Sequence, residues 1–145
     1  STLAANITLA SGSSEFGQGV AQATACDDAI TVTPAAKFVN VSQAGGFNFD
    51  NVTLSGIKDA CVGKTFKLSA YGDTNGTPVG IATVGSTVYT NATFVWATAS
   101  SPSNYSPAIA TSNFSGSTTN GTLTVTFQGT QATSGAVYKI TLETN

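Results

Sequence analysis

Apolar and polar residues alternate in short runs along most of this chain, and no other feature constrains its fold as much. Between residues 65 and 70, the apolar Phe66, Leu68 and Ala70 alternate with Thr, Lys and Ser, and the segments 122–127 and 138–142 repeat the pattern. A period of two residues places alternate side chains on opposite faces of a β-strand. The pattern therefore predicts antiparallel sheets packed through their apolar faces.

Ten segments are rich enough in Val, Ile, Phe, Tyr and Thr to predict strands, and none shows the period of a helix. Asn75-Gly76 and Asn120-Gly121 indicate tight hairpin turns, and 100–107, with two Pro and four Ser, predicts a surface loop. This pattern predicts an all-β fold, an antiparallel β-sandwich of immunoglobulin-like or jelly-roll type. The predicted strands are 3–9, 29–33, 37–41, 47–54, 64–71, 79–84, 92–98, 108–113, 122–128 and 136–143.

The first predicted strand has an apolar face and is followed by a Gly- and Ser-rich stretch that predicts a flexible hinge. The strand has two interpretations. It is either an edge strand of its own domain, or it leaves that domain and completes the sheet of a neighbouring copy. The apolar face consists of Leu3, Ala5, Ile7 and Leu9. The predicted N-terminal strand, hinge and sandwich domain span 1–10, 11–19 and 20–145.

Eight of the ten Asn residues lie in Asn-x-Ser/Thr sequons, whereas 40 Ser and Thr in 145 residues would place only about three there by chance. This tripeptide accepts N-linked glycans, which lie on the surfaces of exported proteins. We expect these sites to carry glycan, and the alternative is a Thr-rich β protein whose acceptors stay bare. The sequon residues are Asn6, Asn40, Asn51, Asn75, Asn91, Asn104, Asn113 and Asn120.

The chain carries few charges: five Lys, seven Asp and Glu, no Arg and no His, for a net charge of −2. Binding to nucleic acid needs a basic surface that neutralises phosphates, and binding to an anionic membrane needs one too. This composition therefore excludes nucleic acid as a partner, and no run of 18 apolar residues predicts a membrane span in the mature protein. A chain with so little charge tends to associate with itself.

Two cysteines, Cys26 and Cys61, occur in this Thr-rich chain and predict one disulfide in an oxidising compartment. The bridge would close a loop of about 36 residues and stabilise the fold by about 3.5–4 kcal/mol in the chain-entropy model. Two buried thiols are the alternative, and a metal site would lack its usual His partners. Because the chain begins with Ser1 and shows no signal peptide, we expect a mature exported protein whose leader has been removed.

The sequence contains no catalytic or cofactor-binding constellation. Without His, neither a Ser-His-Asp nor a Cys-His site can form. Asp27-Asp28 predicts a solvated turn, and the segment 73–76 lacks the distant Glu of a calcium loop. We therefore predict that the protein is not an enzyme and has no cofactor and no metal. Phe94 and Trp96 have two interpretations, an exposed platform that stacks on sugars or one strand face packed in the core.

The order of these features resembles that of donor-strand pilins. FDNVTLSGIKDAC at 49–61 and AVYKITLET at 136–144 fit the layout of chaperone-usher major pilins, which have an alternating N-terminal strand and two similarly placed cysteines. The chain lacks the penultimate Tyr of usher-assembled pilins. Its low charge and its richness in Thr and Asn resemble archaeal bundling pili as well, which form the same strand joint without an usher. The resemblance implies that Cys26–Cys61 staples the early strands. It also implies donor residues that fill a groove in the next subunit, namely Leu3, Ala5, Ile7 and Leu9.

These observations predict a structural subunit of an extracellular, cell-surface filament whose partners are copies of itself. The alternative is a carbohydrate-binding or adhesive module of a surface protein, with surface glycans as its ligands. The filament hypothesis predicts polymers joined through the first strand. The adhesive hypothesis predicts a monomer with an exposed aromatic patch.

Overall fold

The computed structural model describes residues 3–8, 19–21, 26, 30–39, 46–73, 76–98, 101–115, 121–129 and 131–144. These residues form twelve strands and two short 3-10 turns, Asp59–Cys61 and Ser134–Ala136. The strands are β1 (Leu3–Thr8), β2 (Gly19–Ala21), β3 (Ile30–Val39), β4 (Gly46–Ile57), β5 (Thr65–Tyr71), β6 (Ala82–Val84), β7 (Thr87–Tyr89), β8 (Asn91–Thr98), β9 (Ser101–Ser103), β10 (Ile109–Ser115), β11 (Gly121–Phe127) and β12 (Lys139–Thr144).

Ten of the strands form two five-stranded sheets, and each pairing in the described residues is antiparallel. The strand order is β1-β12-β5-β8-β9 in sheet 1 and β10-β11-β4-β3-β2 in sheet 2. The remaining strands, β6 and β7, form a separate hairpin. The predicted all-β sandwich with antiparallel sheets is confirmed.

Both sheets contribute alternate residues to one apolar core. In β11, for example, Leu123, Val125 and Phe127 are buried, whereas the Thr residues between them are half-buried. The alternation holds because every second residue of a strand faces the opposite sheet. The largest fully buried side chains in the described residues are Trp96, Phe49, Phe66, Phe94, Ile30, Leu54, Ile57, Leu68, Ile81, Leu123, Ile140 and Leu142.

β4 departs from strict alternation because it contains two extra residues. Its register against β3 skips Asp50, and its register against β11 skips Gly56. Gly56 has a φ of 79°, in the left-handed region that glycine adopts at such bulges. β4 ends three residues beyond the predicted end at 54. Because of the two bulges, its buried residues are unevenly spaced: Phe49, Val52, Leu54 and Ile57.

Several predicted strand boundaries need correction. The segments 29–33 and 37–41 form one strand, β3, which runs through Pro34. Proline fits there because β2 pairs only with residues 30–32, so β3 is the outermost described strand of sheet 2 at that point. Part of the predicted loop 100–107 is a strand, because Ser101 and Ser103 pair with β8.

The two Asn-Gly signals had different outcomes. The signal before β11 is followed by the predicted hairpin, in which β11 pairs with β10. The signal at 75–76 does not join two hairpin strands, because β5 already lies between β12 and β8. Across that turn, only an isolated bridge joins Tyr71 to Pro78. Asn75 and Asn120 themselves lie outside the described residues.

Candidate assembly surface

β1 forms one edge of sheet 1 and pairs antiparallel with β12 of the same chain. The register places Ala5 opposite Leu142 and Ile7 opposite Ile140, and both of these β12 residues are buried. The side chains of the predicted donor residues Leu3, Ala5 and Ile7 lie outside the described part of the structure. Leu9 lies outside the described residues. In the single chain, β1 is therefore an edge strand of its own domain, and its transfer to a neighbouring copy stays a prediction.

β12 is the strand that β1 covers, and its two faces differ. Its inner face buries Ile140 and Leu142. On its outer face, Glu143 lies opposite Lys67 of β5, and the Lys139 Nζ lies 5.1 Å from the centre of the Tyr71 ring. If β1 leaves, β12 becomes an edge with unpaired backbone groups and an apolar face that lacks part of its cover.

Cys26 and Cys61 form the predicted disulfide, with their Cα atoms 4.9 Å apart. Cys61 ends the 3-10 turn after β4 and is fully buried, and Cys26 packs against the same core. The bridge ties the segment before β3 to the segment after β4, next to the end of the hairpin where Thr31 pairs with Ser55. Since the chain has two cysteines in all, no thiol remains for metal binding or redox chemistry.

Three sequon residues have described side chains, and their environments differ. Asn104 is exposed and has a φ of 53°, a left-handed conformation in which Asn is enriched. Asn51 in β4 and Asn91 at the start of β8 are half-buried. The Asn51 Nδ2 also donates a hydrogen bond of 2.9 Å to the Asp50 Oδ2.

Two further sequon residues are placed by the strands that contain them. Asn6 lies in β1 and Asn113 lies in β10. In sheet register, Asn6 is opposite Thr141 and Asn113 is opposite Thr124. The other three acceptors lie outside the described residues, and glycosylation of the eight sites stays a prediction. Those three are Asn40, Asn75 and Asn120.

The aromatic residues singled out in the sequence are buried, whereas a different pair is exposed. Phe94 and Trp96 belong to the core, as the core interpretation predicted, so they offer no platform for sugars. Phe38 and Phe47 are opposite each other in the β3–β4 register, with 55% and 40% of their surface exposed. Their ring centroids are 5.4 Å apart in an edge-to-face arrangement. The alternation missed this pair because Phe47 has the same phase as the buried Phe49.

No protein-family model matches the chain, and no curated protein or solved structure matches it. Among the residues described above, no helix is long and apolar enough to cross a membrane. The same residues bring no three His, Cys, Asp or Glu side chains together as a metal site would require. Four features of the described residues bear on function: the sheet edges, the disulfide, the sequons and the exposed pair Phe38 and Phe47.

Proposed function

We propose that the protein is a structural subunit of an extracellular filament and that its subunits join by exchange of β1. The observation that carries this proposal is the place of β1, an N-terminal strand at a sheet edge that pairs with β12. A Gly- and Ser-rich stretch at 11–19 follows it in the sequence. A strand in this place can pair with the β12 of another copy as well as with its own, which is domain swapping.

Exchange preserves the pairing of β1 with β12. The six register pairs are the same within one chain as between two chains, from Leu3 opposite Thr144 to Thr8 opposite Lys139. The closed and exchanged forms therefore differ mainly in the hinge and in subunit concentration. Each large apolar side chain that a donor strand buries contributes about 1.5–3 kcal/mol to the joint. The net charge of −2 gives little repulsion between copies.

Exchange in one direction produces an open chain of subunits. Each subunit donates β1 to one neighbour and accepts a β1 beside its own β12 from another. The donor surface and the acceptor surface are different, so each contact is heterologous, and it stays open unless the exchange is reciprocal or the subunits close into a ring. Repeating a contact of this kind builds a fibre.

The disulfide and the sequons support a place outside the cell. Disulfides form and persist in oxidising compartments, and the Cys26–Cys61 bridge is present in the fold. Sequons receive glycans on exported proteins, and this chain has eight of them. N-linked glycosylation is therefore part of the proposed function.

A pair of engineered cysteines tests the joint. Ala4 is opposite Glu143 in the β1–β12 register, so Ala4→Cys with Glu143→Cys should form a disulfide wherever this pairing exists. In filaments built by exchange, that bridge links different subunits, and denatured filaments on a non-reducing gel should show a covalent ladder. Ala4→Cys with Lys139→Cys is the matched control, because Lys139 pairs with Thr8 and lies out of register.

Two results would contradict the proposal. Bridges confined to single chains, in filaments verified by electron microscopy, would show that β1 is not the joint. Protein from the native source that stays monomeric at every concentration would show that the chain is not a filament subunit.

The exposed aromatic pair favours a second function, an adhesive module that binds carbohydrate. Phe38 and Phe47 lie at the end of the β3–β4 hairpin, away from the disulfide, and expose apolar ring surface to water. Aromatic side chains are enriched where proteins contact their partners. Binding of the monomer to immobilised glycans should fall in Phe38→Ala with Phe47→Ala, whereas Val88→Ala, which alters a 60% exposed residue on β7, should leave it unchanged. Equal binding by both variants would contradict this function.

A further inference from the structure

Four of the five charged residues in the two sheets lie on inner strands. The fifth, Lys37, lies in the part of β3 that β2 does not cover, which is itself an outermost stretch of sheet 2. The edge strands are β1 and β9 in sheet 1 and β10 and β2 in sheet 2, and none of the four contains a charged residue. β-sheet proteins commonly place charge, Lys above all, on edge strands, because an unpaired edge recruits strands from other molecules. In the described strands of the two sheets, the charged residues are Lys37, Asp50, Lys67, Lys139 and Glu143, in β3, β4, β5 and β12.

The four edges are not equally open to a new strand. β2 and β9 have three residues each, and β9 also contains Pro102, so both edges are short templates. β1 has six residues and β10 has seven, and neither contains Pro. The open stretch of β3 beyond β2 contains Pro34 and Lys37, which protect an edge. β1 and β10 are therefore the long edges without charge or Pro, although the register of β10 shifts once, between Ile109 and Thr111.

Each of these two long edge strands contains a sequon. Asn6 lies within β1, and Asn113 lies within β10. Asn113 is opposite Thr124, whose hydroxyl hydrogen-bonds to that of Thr53 at 2.8 Å on the outer face of sheet 2. Neither short edge strand contains a sequon.

We propose that N-linked glycans on Asn6 and Asn113 guard the two long sheet edges, in the role that charged side chains have in other β-sheet proteins. A strand that joins an edge lies about 4.8 Å from it, so its side chains would lie directly beside a bulky glycan attached to the edge strand, and the glycan would hinder the approach. The inference rests on the glycosylation part of the proposed function and is independent of strand exchange.

The guard is compatible with the filament joint. An exchanged β1 uses one side for its pairing with β12 and presents its other side as the new outer edge of the sheet. A glycan on Asn6 stays at that outer edge. It therefore leaves the head-to-tail joint free and blocks the lateral pairing of one sheet with another.

Removing single acceptors tests the guard. The chain is secreted from a host that glycosylates sequons, and intact mass and peptide mapping identify the occupied sites. Asn6→Gln and Asn113→Gln each remove one edge acceptor, whereas Asn51→Gln removes an acceptor from the inner strand β4, where residue 51 pairs with both β3 and β11. The edge variants should lose the monomer peak in size-exclusion chromatography and gain a thioflavin T signal. The inner-strand variant should keep the monomer peak.

A charged residue should replace the glycan at the edge. Asn113→Lys and Asn6→Lys also abolish glycosylation, yet they supply the charge that protects edges in other sheets, so they should restore the monomer peak that the Gln variants lose. Recovery with Lys but not with Gln would show that edge protection is the function of the glycan. Two results would overturn the inference. One is a parent protein that carries no glycan on Asn6 and Asn113, and the other is equal association of the edge and inner-strand Gln variants. The cysteine ladder described for the joint does not depend on these sequons, so either proposal can fail alone.

Discussion

The two ends of the β3–β4 hairpin are built from the same kind of sequence but have opposite surroundings. At one end Val32 pairs with Leu54, both are fully buried, and the Cys26–Cys61 bridge closes the hairpin nearby. At the other end Phe38 pairs with Phe47, and both rings are exposed. The apolar side chains at the buried end belong to the core shared by the two sheets, whereas the two rings at the other end are exposed to water.

The difference shows that alternation along a strand does not by itself bury a side chain. Phe47 and Phe49 are two residues apart and have the same phase, yet 40% of the first is exposed and only 1% of the second. The bulge at Asp50 follows directly and resets the phase for the buried end of the strand. We therefore expect the buried end to determine stability and the exposed end to be available for contacts with other molecules.

Removing the disulfide should have the largest effect on stability. The bridge spans a sequence separation of 35 residues, and a loop of this length predicts a loss of about 4 kcal/mol when both cysteines are replaced by Ala. Urea unfolding can be followed through the fluorescence of the single, buried Trp96. If the variant without the disulfide unfolds at the same urea concentration as the parent protein, the disulfide-linked end of the hairpin does not determine stability.

Leu54→Ala should destabilise the fold by about 3 kcal/mol, because it leaves a cavity between the two sheets. Thr53→Ala is the matched control on the same strand. It removes the hydroxyl contact with Thr124 on the outer face and should cost about 1 kcal/mol or less. Denaturant titration of both variants measures the difference, and equal losses would mean that the two faces of β4 do not differ as described.

The smallest effect is expected at the exposed end of the hairpin. Phe38→Ala and Phe47→Ala should each cost about 1 kcal/mol or less, with a coupling of about 0.5–1 kcal/mol between the two edge-to-face rings. A double-mutant cycle on the free energy of unfolding measures this coupling. A loss as large as that of Leu54→Ala would mean that the exposed end belongs to the core.

Local patterns predicted the parts of the fold that depend on local chemistry. The alternation in β11 and β5 identified their buried apolar residues, although Ser69 on the predicted polar face of β5 is buried as well. The two cysteines in a His-free chain predicted their bridge. The bulges at Asp50 and Gly56 could not be predicted in this way, because they are defined by the register against neighbouring strands. The pairing of β9 with β8 was missed for the same reason.

The candidate sites show the same division. The sequons and the apolar phase of the first strand are visible in the sequence. The identity of the edge strands is not visible, because it depends on the strand order of the whole sheet. The exposure of Phe38 and Phe47 depends on which other parts of the chain pack beside the hairpin, and no local pattern encodes that.

The pairing of β1 with β12 also sets the order of events during synthesis. Residues 3–8 are made first, and their partner 139–144 is made after the whole intervening domain. At about 5–20 residues per second, β12 follows β1 after on the order of ten seconds. Pairs so far apart in sequence are also slow to form, because closing the long intervening loop costs entropy. During this interval β1 is complete and its own partner strand does not yet exist, so a β12 from an earlier molecule can reach it first.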